Sequence, residues 1–194
     1  NSKQYISFDG LNDSLVKDIN GHILDNPTGK NVTVFTVVRP INESGNSYIL
    51  STGGQTGSAV GYALGYSGGT GFSVLKDTSG GKLINIDEPL KKNITNLVTH
   101  SYKGSYSNYE SLVNGKQVTS LFQNYSGTSN GHTMLTVGRP NNAESYYGQF
   151  QIAEIVVIAS ADTKKIKDIQ YYLSSKWGLG SHVDSDGDGF VDTI

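Results

Sequence analysis

The chain has 194 residues, with 15 Lys+Arg against 17 Asp+Glu, 24 Gly, 4 Pro and no Cys. That length suits one domain with a substantial core, and the absence of Cys excludes a disulfide framework, a thiolate zinc site and a cysteine nucleophile. A net charge of -2 offers no basic field for a phosphate backbone, and no apolar run approaches a membrane span, so neither nucleic acid nor membrane insertion is expected.

Charged residues make up 16% of the chain, against about 25% in an average globular domain. Ser, Thr, Asn, Gly and Tyr take their place, which predicts a surface rich in hydroxyls and amides. The charge is also unevenly spread. The last stretch, 184–194, holds four Asp and no base, leaving 15 basic and 13 acidic side chains in the other 183 residues. Asn1-Ser2-Lys3 carries neither an initiator Met nor a signal peptide. A mature or excised segment of a secreted or surface protein, bacterial by its Cys-free, Gly- and Tyr-rich composition, is the expectation.

In chain order, apolar residues alternate with period two over residues 32–38, the signature of a strand with one buried face. Shorter candidates follow at 47–52, 71–76 and 97–102, each bounded by Gly, Asn, Ser or Pro. Residues 111–113 and 116–119 flank Asn114-Gly115, a pair suited to a tight hairpin because both positions tolerate positive φ. Residues 134–137 and the long run 150–158 complete the strands. From Asp162, Ile166, Ile169, Leu173 and Trp177 recur at three- and four-residue steps, so one helical face is apolar. Asp162 is placed as its N-cap, and Gly178 and Gly180 end it. The predicted fold is all-β, a jelly-roll sandwich of two antiparallel sheets with one late helix. Residues 1–180 form the domain, and 181–194 a connector and acidic tail.

Ser7-Phe8-Asp9-Gly10-Leu11-Asn12-Asp13, then Val113-Asn114-Gly115-Lys116, then Gly148-Gln149-Phe150-Gln151-Ile152-Ala153-Glu154-Ile155, and finally Tyr172-Leu173-Ser174-Ser175-Lys176-Trp177-Gly178-Leu179 stand in an order that resembles the laminin-G-like branch of the concanavalin A-like lectin/glucanase domains. The resemblance covers about residues 4 to 179. It implies a jelly-roll in a large secreted or surface-anchored protein. It does not fix a ligand, because the fold carries lectins, glycosidases and inert spacers.

The sharpest motif is Asp184-Ser185-Asp186-Gly187-Asp188-Gly189-Phe190-Val191-Asp192. A hard cation takes six to eight oxygens, and carboxylates at positions 1, 3 and 5 of a tight loop converge on one point. Gly189 falls at position 6, the Phe190 carbonyl at 7 and Asp192 at 9, while position 12 would be one residue past Ile194. Calcium is therefore the expected cofactor. The pattern resembles a thrombospondin type 3 repeat more closely than a dockerin loop, which would need a second copy. A solvated acidic tail is the alternative.

Asp9, which follows a short strand, and Glu154, in an otherwise apolar strand, form a second candidate site: related jelly-rolls often hold a structural calcium with an acidic side chain and backbone carbonyls, so either residue is a candidate ligand. The competing reading makes Asp9 a turn cap and ties Glu154 by hydrogen bonds to backbone amides, because a buried carboxylate needs such partners. For a polysaccharide or glycan partner, the candidate residues are Tyr102, Tyr106, Tyr109, Tyr125, Asn141, Tyr146 and Tyr147. Flat rings with polar tips stack on sugar faces while amides bond the hydroxyls. The alternative is that these rings cover the rim of the core.

Enzyme signatures are weak. Gly65-Tyr66-Ser67-Gly68-Gly69 matches G-x-S-x-G but lies in Gly-rich β sequence rather than at a strand-turn-helix junction. No pair of acids is spaced along a strand as glycoside hydrolysis on this fold requires, and the four histidines lack partners at metal-ligand spacing. The expected function is a noncatalytic carbohydrate-binding module with a calcium tail, joined to neighbouring domains of a larger chain. A structural or adhesive spacer is the alternative.

Overall fold

The computed structural model describes residues 4–192 apart from 21, 25–27, 43–45, 53–60, 68–69, 78–79, 87–89, 119–133 and 141–145. Twelve strands are described: β1 (Ile6–Asp9), β2 (Leu15–Asp18), β3 (Asn31–Asn42), β4 (Asn46–Ser51), β5 (Gly61–Ser67), β6 (Thr70–Asp77), β7 (Gly80–Asn85), β8 (Asn96–Lys103), β9 (Tyr109–Val113), β10 (Lys116–Gln117), β11 (Met134–Val137) and β12 (Gln149–Ile158). They form two six-stranded sheets, β1-β12-β3-β8-β9-β10 and β2-β11-β4-β5-β6-β7, with antiparallel pairing throughout. The sandwich is as expected.

Alternation builds the core. Val32, Val34 and Val38 of β3 and Leu50, Tyr62 and Leu64 of the facing sheet point between the sheets, together with Phe8, Phe150 and Ile152. The opposite face of β3, carrying Phe35 and Val37, is covered by helix α1 (Thr163–Trp177) through Ile166 and Leu173. Both expected caps are present: Asp162 accepts from the Lys165 amide at 2.9 Å, and Gly178 ends the helix at φ 62°.

The strands not anticipated are β2, β5 and β7. All four residues of β2 are exposed, so no buried face shows in its pattern. Glycines interrupt the alternation in β5 and open β7. The stretch expected as a connector after residue 180 packs against the domain at its start. Leu179 and Val183 are buried in the cluster beneath the helix, so this stretch is part of the domain's packing.

One irregularity positions a candidate residue. β12 pairs Ile152 with Val38 and Glu154 with Val37, leaving Ala153 as an extra residue. Unbroken alternation from Phe150 and Ile152 would aim Glu154 into the core. The bulge turns it to the helix side, the usual consequence of one added residue.

Candidate functional site

The strand ends that meet at one edge of the sandwich build a polar cleft. Asp9 closes β1, Asn42 closes β3 and Gln149 opens β12, and the register sets Asp9 opposite Gln149 and Gln149 opposite Asn42. Ser47, near the start of β4, and Tyr147 reach the same place from the other sheet, where Tyr48 bridges to Tyr147 and donates its amide to the Tyr146 carbonyl at 3.0 Å. The cleft holds about 220 Å³ and is lined by Asp9, Gly10, Leu11, Asn42, Ser47, Tyr147 and Gln149. Ser47 is buried, and its Oγ has no hydrogen-bond partner among the described residues. A buried hydroxyl left unmade costs about 1–3 kcal/mol, so a polar guest able to reach Ser47 recovers that energy.

Asp9 and Tyr147 were expected in different roles and share this cleft. Asp9 accepts from the Leu11 amide at 2.8 Å, and its own amide donates to Asp13 at 3.0 Å, so it caps a turn while keeping carboxylate lone pairs free. Tyr146 is exposed beside it and holds φ at 57°, a conformation uncommon for an aromatic residue. Ser47, Asn42 and Gln149 were missed. Each sits at a strand end, and what unites them is cross-strand register.

Other expectations are corrected. Tyr102 and Tyr109 stand opposite each other on β8 and β9, 1% and 0% exposed, so neither offers a face to a surface ligand. Tyr109 instead packs beside His100, as does Tyr62, whose hydroxyl bonds His100 Nδ1. Burial lowers the His100 pKa to about 3 and raises those of Tyr62 and Tyr109. Tyr106 lies in a single 3-10 turn, Tyr106–Asn108, with its ring outside the described residues; Tyr125 and Asn141 also lie outside them.

Asp9 and Glu154 do not form one site, because Asp9 pairs with Gln149, five residues along β12 from Glu154. Glu154 meets side chains rather than backbone amides. Lys176 Nζ lies 2.8 Å from Oε2, and Trp177 Nε1 donates to the same oxygen at 2.8 Å. Partial burial pushes its pKa up, but the hydrogen bonds from Lys176 and Trp177 outweigh that and hold it below the usual value. Its acceptor capacity belongs to the helix.

The acidic tail folds as a compact loop docked on the sandwich. Asp184 accepts from the Gly187 and Gly189 amides at 2.7 and 3.0 Å, Asp186 from Asp188 at 3.1 Å, and Asp188 from Phe190 at 2.8 Å. Carboxylate oxygens of Asp184, Asp186 and Asp188 lie within 4.8 Å of one another. Asp192 closes the loop on the Ser185 amide and hydroxyl through Oδ1, while its Oδ2 is buried without a partner among the described residues. The Asp184, Asp186 and Asp188 carboxylates fit a hard cation: oxygens of one charge sign gathered around a tight turn. The loop is anchored by the Asp184 amide, which donates to the Asn114 carbonyl at 3.1 Å, and by Lys167, which donates to the Asp186 carbonyl. Gly115 makes that approach possible. Its φ is 83°, and a Cβ there would stand 1.6 Å from the Asp184 carbonyl oxygen.

No protein-family model matches the chain, and no curated protein matches it in sequence. Solved structures do match. The receptor binding domain of a botulinum neurotoxin C/D mosaic serotype aligns with a TM-score of 0.61 at 16% identity, over 88% of this chain and 42% of that one. The NanB sialidase of Streptococcus pneumoniae, as a K499G mutant, aligns with a TM-score of 0.61 at 18% identity, over 86% of this chain and 27% of that one. A structure of botulinum neurotoxin type C, whose cell entry depends on interaction with two ganglioside molecules, gives a TM-score of 0.56 at 13% identity, over 84% of this chain and 39% of that one. The likeness is one of fold. The chain spans less than half the length of each of these structures.

Proposed function

We propose that this chain is a noncatalytic carbohydrate-binding module of a larger extracellular protein, with its sugar contacts in the strand-end cleft. The observation that carries the reading is the buried Ser47 Oγ, unpartnered among the described residues, in the lining of a cleft that also offers an amide pair, one carboxylate and a tyrosine ring. Sugar hydroxyls both donate and accept, and a half-buried ring supplies the apolar face that pyranose C–H groups need. At about 220 Å³ the cleft is smaller than sites for drug-sized ligands, on the order of 300–1,000 Å³, which favours one sugar residue gripped at a time. Support also comes from the matched sandwiches, among which are a receptor binding domain, a sialidase and a toxin tied to gangliosides. Among the described residues Asp9 is the one carboxylate in the cleft lining, whereas glycoside hydrolysis takes two. Affinity electrophoresis through a panel of polysaccharides tests the reading. Retardation by at least one polymer, lost in Tyr147→Ala, is expected; no retardation by any of them counts against it.

The tail carries a second element of the reading, a calcium site formed by Asp184, Asp186, Asp188, the Phe190 carbonyl and Asp192. Its docking onto the β9-β10 turn also favours an adhesive spacer role, in which the cation stiffens the joint to a neighbouring domain. Terbium luminescence excited through nearby aromatic rings, displaced by calcium and absent in a D184N/D186N/D188N variant, checks the metal.

A further inference from the structure

β3 pairs with β12 along nearly its whole length, but on the opposite edge β1 pairs only from Gln149 to Ile152. Among the described residues no strand lies against the outer edge of residues 153–158. Alternate residues of an antiparallel strand aim both N–H and C=O away from the existing partner, so this stretch presents a row of main-chain groups with no strand partner among the described residues. The usual protection of such an edge is thin. Residues 155–158 are Ile-Val-Val-Ile, with no proline and no charge, in regular register with β3. The neighbouring charge, Glu154, is turned onto the helix by Lys176 and Trp177.

A groove flanks this edge on each face of the sheet. On the inner face, Ile155 and Val157 line a groove of about 550 Å³ with Leu135 of β11 and with Ile19 and Leu24 after β2, and Lys17, Asp18, Asn20 and His22 also line it. On the outer face a hollow of about 330 Å³ lies between Ile158 and the helix residue Ile169, with Lys165 and Asp168 at its mouth. The occupant that fits all three features is a strand. An isolated acyl chain fills the inner groove but leaves the edge bonds unmade. An extended peptide makes those bonds and sends alternate side chains to the two faces. β1 sets the line, since it already pairs antiparallel with the first part of the same edge.

We propose that the β12 edge at residues 153–158 binds an extended peptide in trans, adding a strand in line with β1 whose apolar side chains enter the inner groove and whose polar ones face the helix. The site lies at the opposite end of β12 from the strand-end cleft and does not depend on a sugar reading. A fluorescein-labelled peptide of sequence KTVTITVTK serves as the probe, followed by anisotropy and by NMR-detected hydrogen exchange of the protein. The expected results are saturable binding, at least tenfold slower exchange of alternate amides in residues 153–158, and at least tenfold weaker binding of a peptide N-methylated along its bonding edge. V157K, which fills the inner groove, is expected to weaken binding at least tenfold while its exchange pattern elsewhere stays unchanged. A variant beginning at Gln4 is expected to bind equally well. Absent saturation, equal binding of the N-methylated peptide, protection located elsewhere, or binding that appears only in the shortened variant overturns the proposal. Self-association through this edge without peptide, seen by sedimentation, overturns it in favour of a second copy.

Discussion

Trp177 Nε1 donates to Glu154 Oε2 at 2.8 Å, joining the last turn of the helix to the bulged strand beneath it. Lys176 meets the same carboxylate, so one side chain holds two successive helix residues. The bulge at Ala153 is what brings the carboxylate to that face.

Glu154→Gln is therefore expected to destabilise the domain by about 1–2 kcal/mol, because the indole bond loses its charged acceptor. The exposed Lys176 adds little. Because the folded pKa of Glu154 is lowered from 4.5, its contribution is complete above that pH and is lost as pH falls through the folded value. Trp177 is the only Trp, so its emission reports the change directly. An unaltered emission maximum and midpoint in the Gln variant would refute the role.

His100 gives a second acid-sensitive element. Its pKa falls from 6.5 unfolded to about 3 in the fold, so the unfolded chain takes up a proton first as pH drops. Stability is then lost between those two values, by at most about 1.4 kcal/mol per pH unit. His100→Gln keeps a partner for Tyr62 but cannot titrate. Its melting temperature is expected to be lower at pH 7 and to fall less than the wild type's between pH 7 and 4.5. Parallel curves for the two proteins would show that His100 does not set the dependence.

Gly115→Ala strikes the tail anchor. With φ at 83° and the Asp184 carbonyl in the space a Cβ would occupy, the loop must lift from the β9-β10 turn. The expected result is rapid exchange at the Val183 and Asp184 amides and loss of about 1–3 kcal/mol. Added calcium is expected to raise the wild-type midpoint more than the variant's, since an undocked loop binds without stabilising the sandwich. Equal shifts would show the loop to be thermodynamically separate.

Much of this was legible in the sequence. Residues 32–38 alternate and 150–158 form a long apolar run because both line a core, and Asp162 and Gly178 bracket the helix by their chemistry alone. The carboxylates of the acidic loop announce their own convergence. Three things were hidden for physical reasons. Nothing local marks Ala153 as a bulge, so the direction of Glu154 is set by pairing with β3. Tyr102 and Tyr109 read like surface rings because tyrosine suits both rim and core, and only burial separates the two. The cleft residues Asp9, Asn42, Ser47 and Gln149 come from four strands, and their meeting is a matter of register.

The claim that sugar occupies the strand-end cleft is tested most directly by an NMR titration of the labelled protein with an oligosaccharide from the best-retarding polymer. The account predicts saturable shifts at the Asn42, Ser47, Tyr147 and Gln149 amides, abolished in Tyr147→Ala and weakened in Ser47→Ala. Shifts confined to other surfaces, or undiminished in the Tyr147→Ala protein, would contradict it.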